Sequence, residues 1–292
     1  MINALSIDLE EWFHAELVRG HLLRERPQRR VAWAVEPLLQ LLDRQDVRAT
    51  FFVVGDVLEH EPDLISRLYA QGHEIACHGW SHRTLWGLDP ERLAWELQQF
   101  DECASELVPV EEIIGFRAPT FSLDQSTAWA LDLLRERGYR YDSSLFPARV
   151  GLYGVRGAPL GIYRPSGDDL LREDRGGDLI ELPMTVWAVG GFRLPWAGGI
   201  YLRALPEAVL LWGLRQVNDS GLPFVLYLHP WEADLGTPRV KGLGLVARAA
   251  STWARGSVLP KLEAILETFR VEPLRSVLGC EPTRRAMSAT AV

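Results

Sequence analysis

From residue 2 to residue 142 the chain repeats one unit: a short apolar run, then a longer stretch with apolar residues at helical spacing, then another short run. Ile2–Ile7, Arg48–Val54, Glu74–Cys77, Ile113–Phe116 and Tyr139–Tyr141 have the composition of buried strands. Between them, Trp33–Leu42, Val57–Tyr69, Asp89–Leu107 and Asp124–Arg137 read as helices, with Asp89 as N-cap, Pro90 at the first helical position and Gly138 as a stop. Further on, Pro206–Val217 and a last helix at Val258–Phe269 flank a strand at Phe224–Leu228. Such alternation predicts an α/β fold with about seven parallel strands covered by helices. Nearly every strand ends on a polar residue, which favours a distorted (β/α) barrel with its chemistry at one rim. A doubly wound open sheet is the rival, but no G-x-G-x-x-G follows the first strand.

The 292 residues are 47% hydrophobic, enough for one large domain over 1–280 with a real core. Residues 147–205 break the alternation. They are rich in Gly, Pro and aromatics and read as loops and hairpins laid over the rim, with β-like pieces at 162–164, 179–182 and 185–189. The tail 281–292 has little apolar content and is expected to be disordered. The net charge of -8 and the lack of a basic block exclude duplex nucleic acid as a partner class. Arg24, Arg26, Arg29 and Arg30 form a local cluster that reads as a solvated loop. Three cysteines without regular spacing argue against a disulfide framework and for a reducing compartment. Cys77 reads as a small buried residue at a strand end. The N-terminus lacks a basic, then apolar leader pattern, and no apolar run reaches the ~18 residues of a membrane span. A cytoplasmic location, free or peripheral to the inner face of the membrane, is the expectation.

The candidate chemistry sits at four strand ends: Asp8 and Glu10, His78 and His82, Arg117, and His229. Four-residue spacing on a helical turn would put both imidazoles of His78 and His82 on one face. Two histidines and a carboxylate leave open positions on a metal, the arrangement of a catalytic rather than a structural zinc site. The same donors bind ferrous iron, so they do not choose the metal. Asp8 and Glu10 lie two apart on a strand and share a face, so one can ligate while the other stays free as a base.

Seven short motifs in order resemble the polysaccharide deacetylase family with the NodB-type homology domain, and more narrowly its branch from bacterial exopolysaccharide systems. They are Ser6-Ile7-Asp8-Leu9-Glu10-Glu11, Ala49-Thr50-Phe51-Phe52, Gly72-His73-Glu74-Ile75, His78-Gly79-Trp80-Ser81-His82, Phe116-Arg117-Ala118-Pro119, Tyr141-Asp142-Ser143-Ser144 and Leu228-His229-Pro230-Trp231-Glu232. The resemblance implies a deacetylase-type barrel and a metal-dependent N-deacetylase, a hydrolase of C–N bonds other than peptide bonds. It implies Asp8 as general base, His78 and His82 on the metal, Arg117 orienting Asp8, and His229 as general acid. The family's first motif has two adjacent aspartates, the second on the metal. Leu9 stands there in this chain, so the third ligand is expected to be Glu10, with Glu11 as fallback. Asp142 matches in order as a partner for His229, with Glu181 its rival, while the tryptophan usual nearby is missing. The implied metal is Zn2+, with Co2+, Ni2+ or Fe2+ as alternatives. The implied substrate is an N-acetylated amino sugar in a glycan or precursor, lipid-linked, nucleotide-linked or a small glycoside. Hydrolysis of a non-sugar C–N bond (a cyclic amide or a formamide) and glycan binding without catalysis are the alternatives. His73 reads as structural. Trp12, Trp80, Phe121 and Trp231 are candidates to stack on sugar rings, with core packing as the equal alternative.

Overall fold

The first strand shows how the barrel is built. In β1 (Asn3–Leu9), Leu5, Ile7 and Leu9 point outward into the core beneath the helices, while Ala4, Ser6 and Asp8 point inward. The inward row is small at the bottom and polar at the top. The computed structural model describes residues 1–22, 27–196 and 198–280; the expected tail at 281–292 and the arginines Arg24 and Arg26 lie outside the described residues.

After β1 come α1 (Glu16–Arg19), α2 (Val31–Arg44), β2 (Thr50–Val53), α3 (Gly55–His60), α4 (Pro62–Ala70), β3 (Glu74–Cys77), α5 (Pro90–Ala104), β4 (Gly115–Phe116), α6 (Ala130–Glu136) and β5 (Tyr141–Asp142). The second half adds β6 (Ile180–Glu181), β7 (Val186–Val189), β8 (Phe192–Pro195), α7 (Gly199–Ala204), α8 (Glu207–Asp219), β9 (Val225–Leu228), α9 (Pro230–Ala233), α10 (Leu245–Thr252), α11 (Val258–Thr268), β10 (Val271–Glu272) and α12 (Leu274–Leu278). Strands run β9–β1–β2–β3–β4–β5–β6, all parallel, and β10 pairs with the start of β1. These seven strands form the curled sheet of a distorted (β/α) barrel, as the sequence predicts. Among the described residues no ladder joins β6 to β9. The seam is crossed instead by Val225 N–H donating to Thr185 Oγ1 at 2.6 Å.

Helices cover the outer face through apolar stripes. In α2, Val31, Val35, Leu38, Leu39 and Leu42 are buried, each worth roughly 1.5–3 kcal/mol when fully removed from water. The N-cap of α5 is Asp89, which accepts from Arg92 N–H, as the sequence predicts. No helix among the described residues is long and apolar enough to cross a membrane.

Several expectations are corrected. The stretch 57–69 is two helices, because Pro62 cannot donate into the first and opens the second. The stretch 124–137 is a 3-10 turn at Gln125–Thr127, closed by an Asp124–Thr127 capping box, followed by α6. Within 147–205, Ile180–Glu181 is a full member of the main sheet, and β7–β8 forms a separate hairpin. The helix at Val258–Thr268 is not the last element, since β10 and α12 follow it. Arg29 and Arg30 are not merely solvated: Arg29 forms a double hydrogen bond with Asp56, and Arg30 pairs with Asp234 at 2.8 Å.

Candidate metal centre and active site

His78 and His82 do meet, but not on a helix. The stretch that holds them is a loop in which Gly79 and His82 take left-handed backbone angles, φ +73° and +52°. The helical expectation fails because this loop is held from outside. The buried Glu96 carboxylate accepts from Trp80 N–H, Ser81 N–H and the Ser81 hydroxyl. From the other side Arg19 donates to the His82 and Ser81 carbonyls. A left-handed non-glycine residue is uncommon and is sustained here by these contacts.

His78 Nδ1 lies 2.7 Å from the Arg117 carbonyl, which can only accept. The proton is therefore on Nδ1, and Nε2 presents a lone pair to the interior. Burial pushes this imidazole down to about 4, which keeps it neutral. His82 Nε2 lies 2.5 Å from Glu10 Oε2. Yet Glu10 Oε2 and His82 Nδ1 are both buried without a hydrogen-bond partner. Glu10, His78 and His82 are buried, and each offers a ligand atom within 4.8 Å of the others. Two imidazole nitrogens, a carboxylate oxygen and an orphaned carboxylate lone pair fit a divalent cation bound at three points with positions left open. Burial opposes the charge on Glu10, but His82 and His229 outweigh it and hold the carboxyl far below its usual range.

Glu11 is not part of this group. Both its oxygens accept from Arg30 N–H and one also from Val31 N–H, so it closes the start of α2. Burial raises it to about 7.

Arg117 is completely buried and reaches Asp8 Oδ1 at 2.6 Å and Ser6 Oγ at 2.8 Å. Its other donors go to the Ser143 carbonyl and hydroxyl, and its guanidinium lies 4.0 Å over the Phe52 ring. Asp8 is thereby fixed by one oxygen, and Oδ2 faces His229 Nε2 at 3.8 Å. His229 Nε2 is also 3.7 Å from Glu10 Oε1, while Trp231 Nε1–H donates to that same oxygen at 3.0 Å.

Neither expected partner of His229 is beside it. The acceptor for His229 Nδ1–H is Glu232 Oε2 at 3.0 Å, one turn along at the start of α9. Glu232 is in turn paired with buried Arg203 at 3.0 Å, and Arg203 also donates to the carbonyls of Gly199, Trp253 and Ala250. Gly199 is required there, since a Cβ would sit 1.8 Å from Glu232 Oε2. Burial alone would lower the His229 imidazole; the carboxylates of Glu10, Glu232 and Asp8 outweigh it and lift it to about 9. Glu232 itself is held low against burial by His229 and Arg203. Glu232 stands in the quoted Leu228–Glu232 motif, and in the structure it closes a capping box with His229 three residues earlier. Arg203 lies in the irregular region, outside the quoted motifs.

Asp142 and Glu181 are register partners on β5 and β6, and Glu181 Oε2 finds no other donor, so the two buried carboxyls are placed to share a proton. Burial raises both, and the Asp142 charge raises Glu181 further. Their other bonds brace a loop. Ser144 Oγ donates to Asp142 Oδ1 at 2.5 Å, and Leu145 N–H donates to Glu181 Oε1 at 2.9 Å. Their neighbour Ser143 is the residue that holds Arg117.

A cavity of about 410 Å³ opens onto this centre and is lined by Asp8, Glu10, His78, His82 and His229. Of the four aromatic candidates, Phe121 and Trp231 line it. Trp12 is buried in a satellite core with its Nε1–H on the Gln28 carbonyl, and Trp80 packs against Gly55, away from this cavity. Unforeseen lining comes from Tyr153, Tyr201 and Tyr227. His73 accepts from Ala49 N–H through Nδ1, far from the centre, as expected of a structural residue. Cys77 is buried in the outer core.

Residues 32–141 match the family model described as polysaccharide deacetylase, and residues 143–279 match a domain of unknown function, DUF3473. The chain thus contains a polysaccharide deacetylase domain over the part that runs from α2 to β5. The two matches meet inside the sheet, at β5, and Asp8 and Glu10 precede both. A peptidoglycan deacetylase-like protein of Gibberella zeae is 30% identical over 156 residues, 50% of this chain and 44% of that protein. A chitooligosaccharide deacetylase of Rhizobium leguminosarum bv. trifolii is 35% identical over 97 residues, 33% of this chain and 42% of that one. The chain thus spans under half the length of these curated relatives. A solved candidate polysaccharide deacetylase from Mycobacterium smegmatis superposes with a TM-score of 0.56 at 19% identity, covering 99% of this chain and 96% of that one, which establishes likeness of fold.

Proposed function

We propose that this chain is a metal-dependent hydrolase that removes the N-acetyl group from an amino sugar in a glycan or glycan precursor. The observation that carries the reading is the convergence of Glu10, His78 and His82 on one cavity, with His229 Nε2 3.7 Å from Glu10 and 3.8 Å from Asp8. Glu10, His78 and His82 would hold the ion, zinc being the one such donors favour, although Co2+, Ni2+ and Fe2+ accept the same set. Bound there, it would supply a Lewis acid that acidifies water and polarises the acetyl carbonyl.

The chain's own residues do the rest. Arg117 occupies Asp8 Oδ1, so Oδ2 is the oxygen left to take a proton from the attacking water. Arg117 also keeps the carboxylate pointed, as a fully buried guanidinium held in place by Ser143 and Ser6. His229 Nε2 delivers a proton to the departing amine, which leaves poorly as an anion. Glu232 holds the other ring nitrogen protonated and fixes the ring plane, and Arg203 fixes Glu232. Acetate and a free amino sugar are the products. The match to DUF3473 supports a place among exopolysaccharide-system deacetylases.

The test is acetate release from N-acetylhexosamine glycosides by metal-loaded protein, alongside formyl and cyclic amide compounds. The reading expects acetate from the N-acetyl sugars and its loss in Asp8→Asn and His78→Ala. Full activity in both variants, or turnover confined to cyclic amides, overturns it.

A further inference from the structure

We infer that the amino sugar accepted here carries an apolar aglycone, and that the outer half of the cavity binds it. This rests on the deacetylase reading and adds a substrate class to it. The inner end of the cavity is polar and is used up by the residues already described. The outer end is not polar. Leu17, Val150, Leu152, Ile200, Tyr201 and Ala250 line it. They come from four separate stretches: α1, the loop at 150–152, α7 and α10. Leu17, Leu152 and Ile200 remain 49%, 56% and 39% exposed. A lone exposed leucine needs no explanation, but three from different segments at one mouth do.

A polar glycan chain threading this mouth would need hydroxyl partners at each sugar. Sites that bind hydroxyls place side-chain donors and acceptors where they fall. Outside the inner constellation the polar lining side chains are Glu16, Thr120 and the tyrosines Tyr153, Tyr201 and Tyr227, and Tyr153 and Tyr227 hydrogen-bond each other. The wall suits methylenes. The cavity, about 410 Å³, exceeds what the N-acetyl group alone occupies and runs continuously from the ligand cluster to the apolar lip. One ligand that spans both ends has a sugar at the inner end and a hydrocarbon at the outer. No bond to the aglycone is broken; it contributes binding only.

The experiment compares methyl, butyl and hexyl glycosides of N-acetylglucosamine, kept below micelle-forming concentration and without vesicles, on the metal-loaded full chain. A buried methylene favours binding by about fourfold. With partial burial, kcat/KM is expected to rise about tenfold or more from methyl to hexyl. The hexyl-to-methyl ratio should fall toward unity in Leu17→Ser/Leu152→Ser, with Ile200→Ser as a second, independent variant. Calorimetry of the same glycosides separates this inference from the one it rests on. Tighter binding of the hexyl compound with turnover of neither upholds the apolar site and overturns the deacetylase reading. Equal kcat/KM and equal affinity across the series, as expected if the mouth docks another protein, overturns this inference alone.

Discussion

The barrel interior holds two buried pairs of carboxyls, and they are built in opposite ways. Asp8 and Glu10 are ringed by an arginine and three histidines and open onto the cavity. Asp142 and Glu181 have no cation in contact among the described residues; they bond each other, a serine hydroxyl and backbone N–H groups. Burial costs a carboxylate the same hydration in both places. Glu10 stays charged because His82 and His229 outweigh that cost, and Arg117 binds one oxygen of Asp8, which leaves other oxygen lone pairs of the pair free for an ion or a proton. The second pair sheds half its charge by keeping a proton, which leaves a singly charged strut whose oxygens are taken up by its own hydrogen bonds. Burial alone therefore does not mark a reactive carboxyl; what surrounds it does.

That contrast can be broken most sharply by amide substitution in each pair. Asp8→Asn is expected to lower kcat/KM for deacetylation by about 10³-fold, since the oxygen that takes the proton is lost. Glu181→Gln, whose amide N–H can replace the shared proton, is expected to stay within about threefold of the parent. Equal losses in the two would mean that the strut takes part in the chemistry.

Next in size is the support of His229. Glu232→Gln leaves Arg203 buried without its ion pair and weakens the grip on the imidazole. A drop of about 10–100-fold in kcat with metal content unchanged is expected. Loss of metal instead would place Glu232 on the ion's side of the comparison.

A smaller effect tests the strut by stability. Glu181→Ala strands Leu145 N–H and Asp142 in the interior and is expected to cost about 1–3 kcal/mol in urea unfolding, against under about 1 kcal/mol for Glu181→Gln. Identical stability of the two variants would refute the shared-proton account.

The same contrast explains what is legible in the sequence. A polar residue that closes an apolar run announces a strand end, so Asp8, Glu10, His78, His82, Arg117 and His229 stand out from their local pattern alone. Which carboxylate serves which partner is not readable that way. Asp142 and Glu181 resemble active-site acids by position along the chain, but their roles follow from pairing across β5 and β6, a register that two-residue strands barely signal. The left-handed turn at His82 is equally hidden, because Glu96 and Arg19 impose it from distant segments. The cavity wall is hidden too, since Leu152 and Ile200 lie in the region without periodicity. In contrast, Asp89 and Pro90 declare their helix start locally, and the structure agrees.

The central claim is that Glu10, with His78 and His82, binds the ion while its neighbour Glu11 closes a helix. Metal content of purified protein, measured by mass spectrometry after zinc loading and dialysis, tests it in three proteins. The account predicts about one ion per chain in the parent and in Glu11→Gln, and close to none in Glu10→Ala. An ion retained by Glu10→Ala but lost from a folded Glu11→Gln would contradict it and move the ligand by one residue.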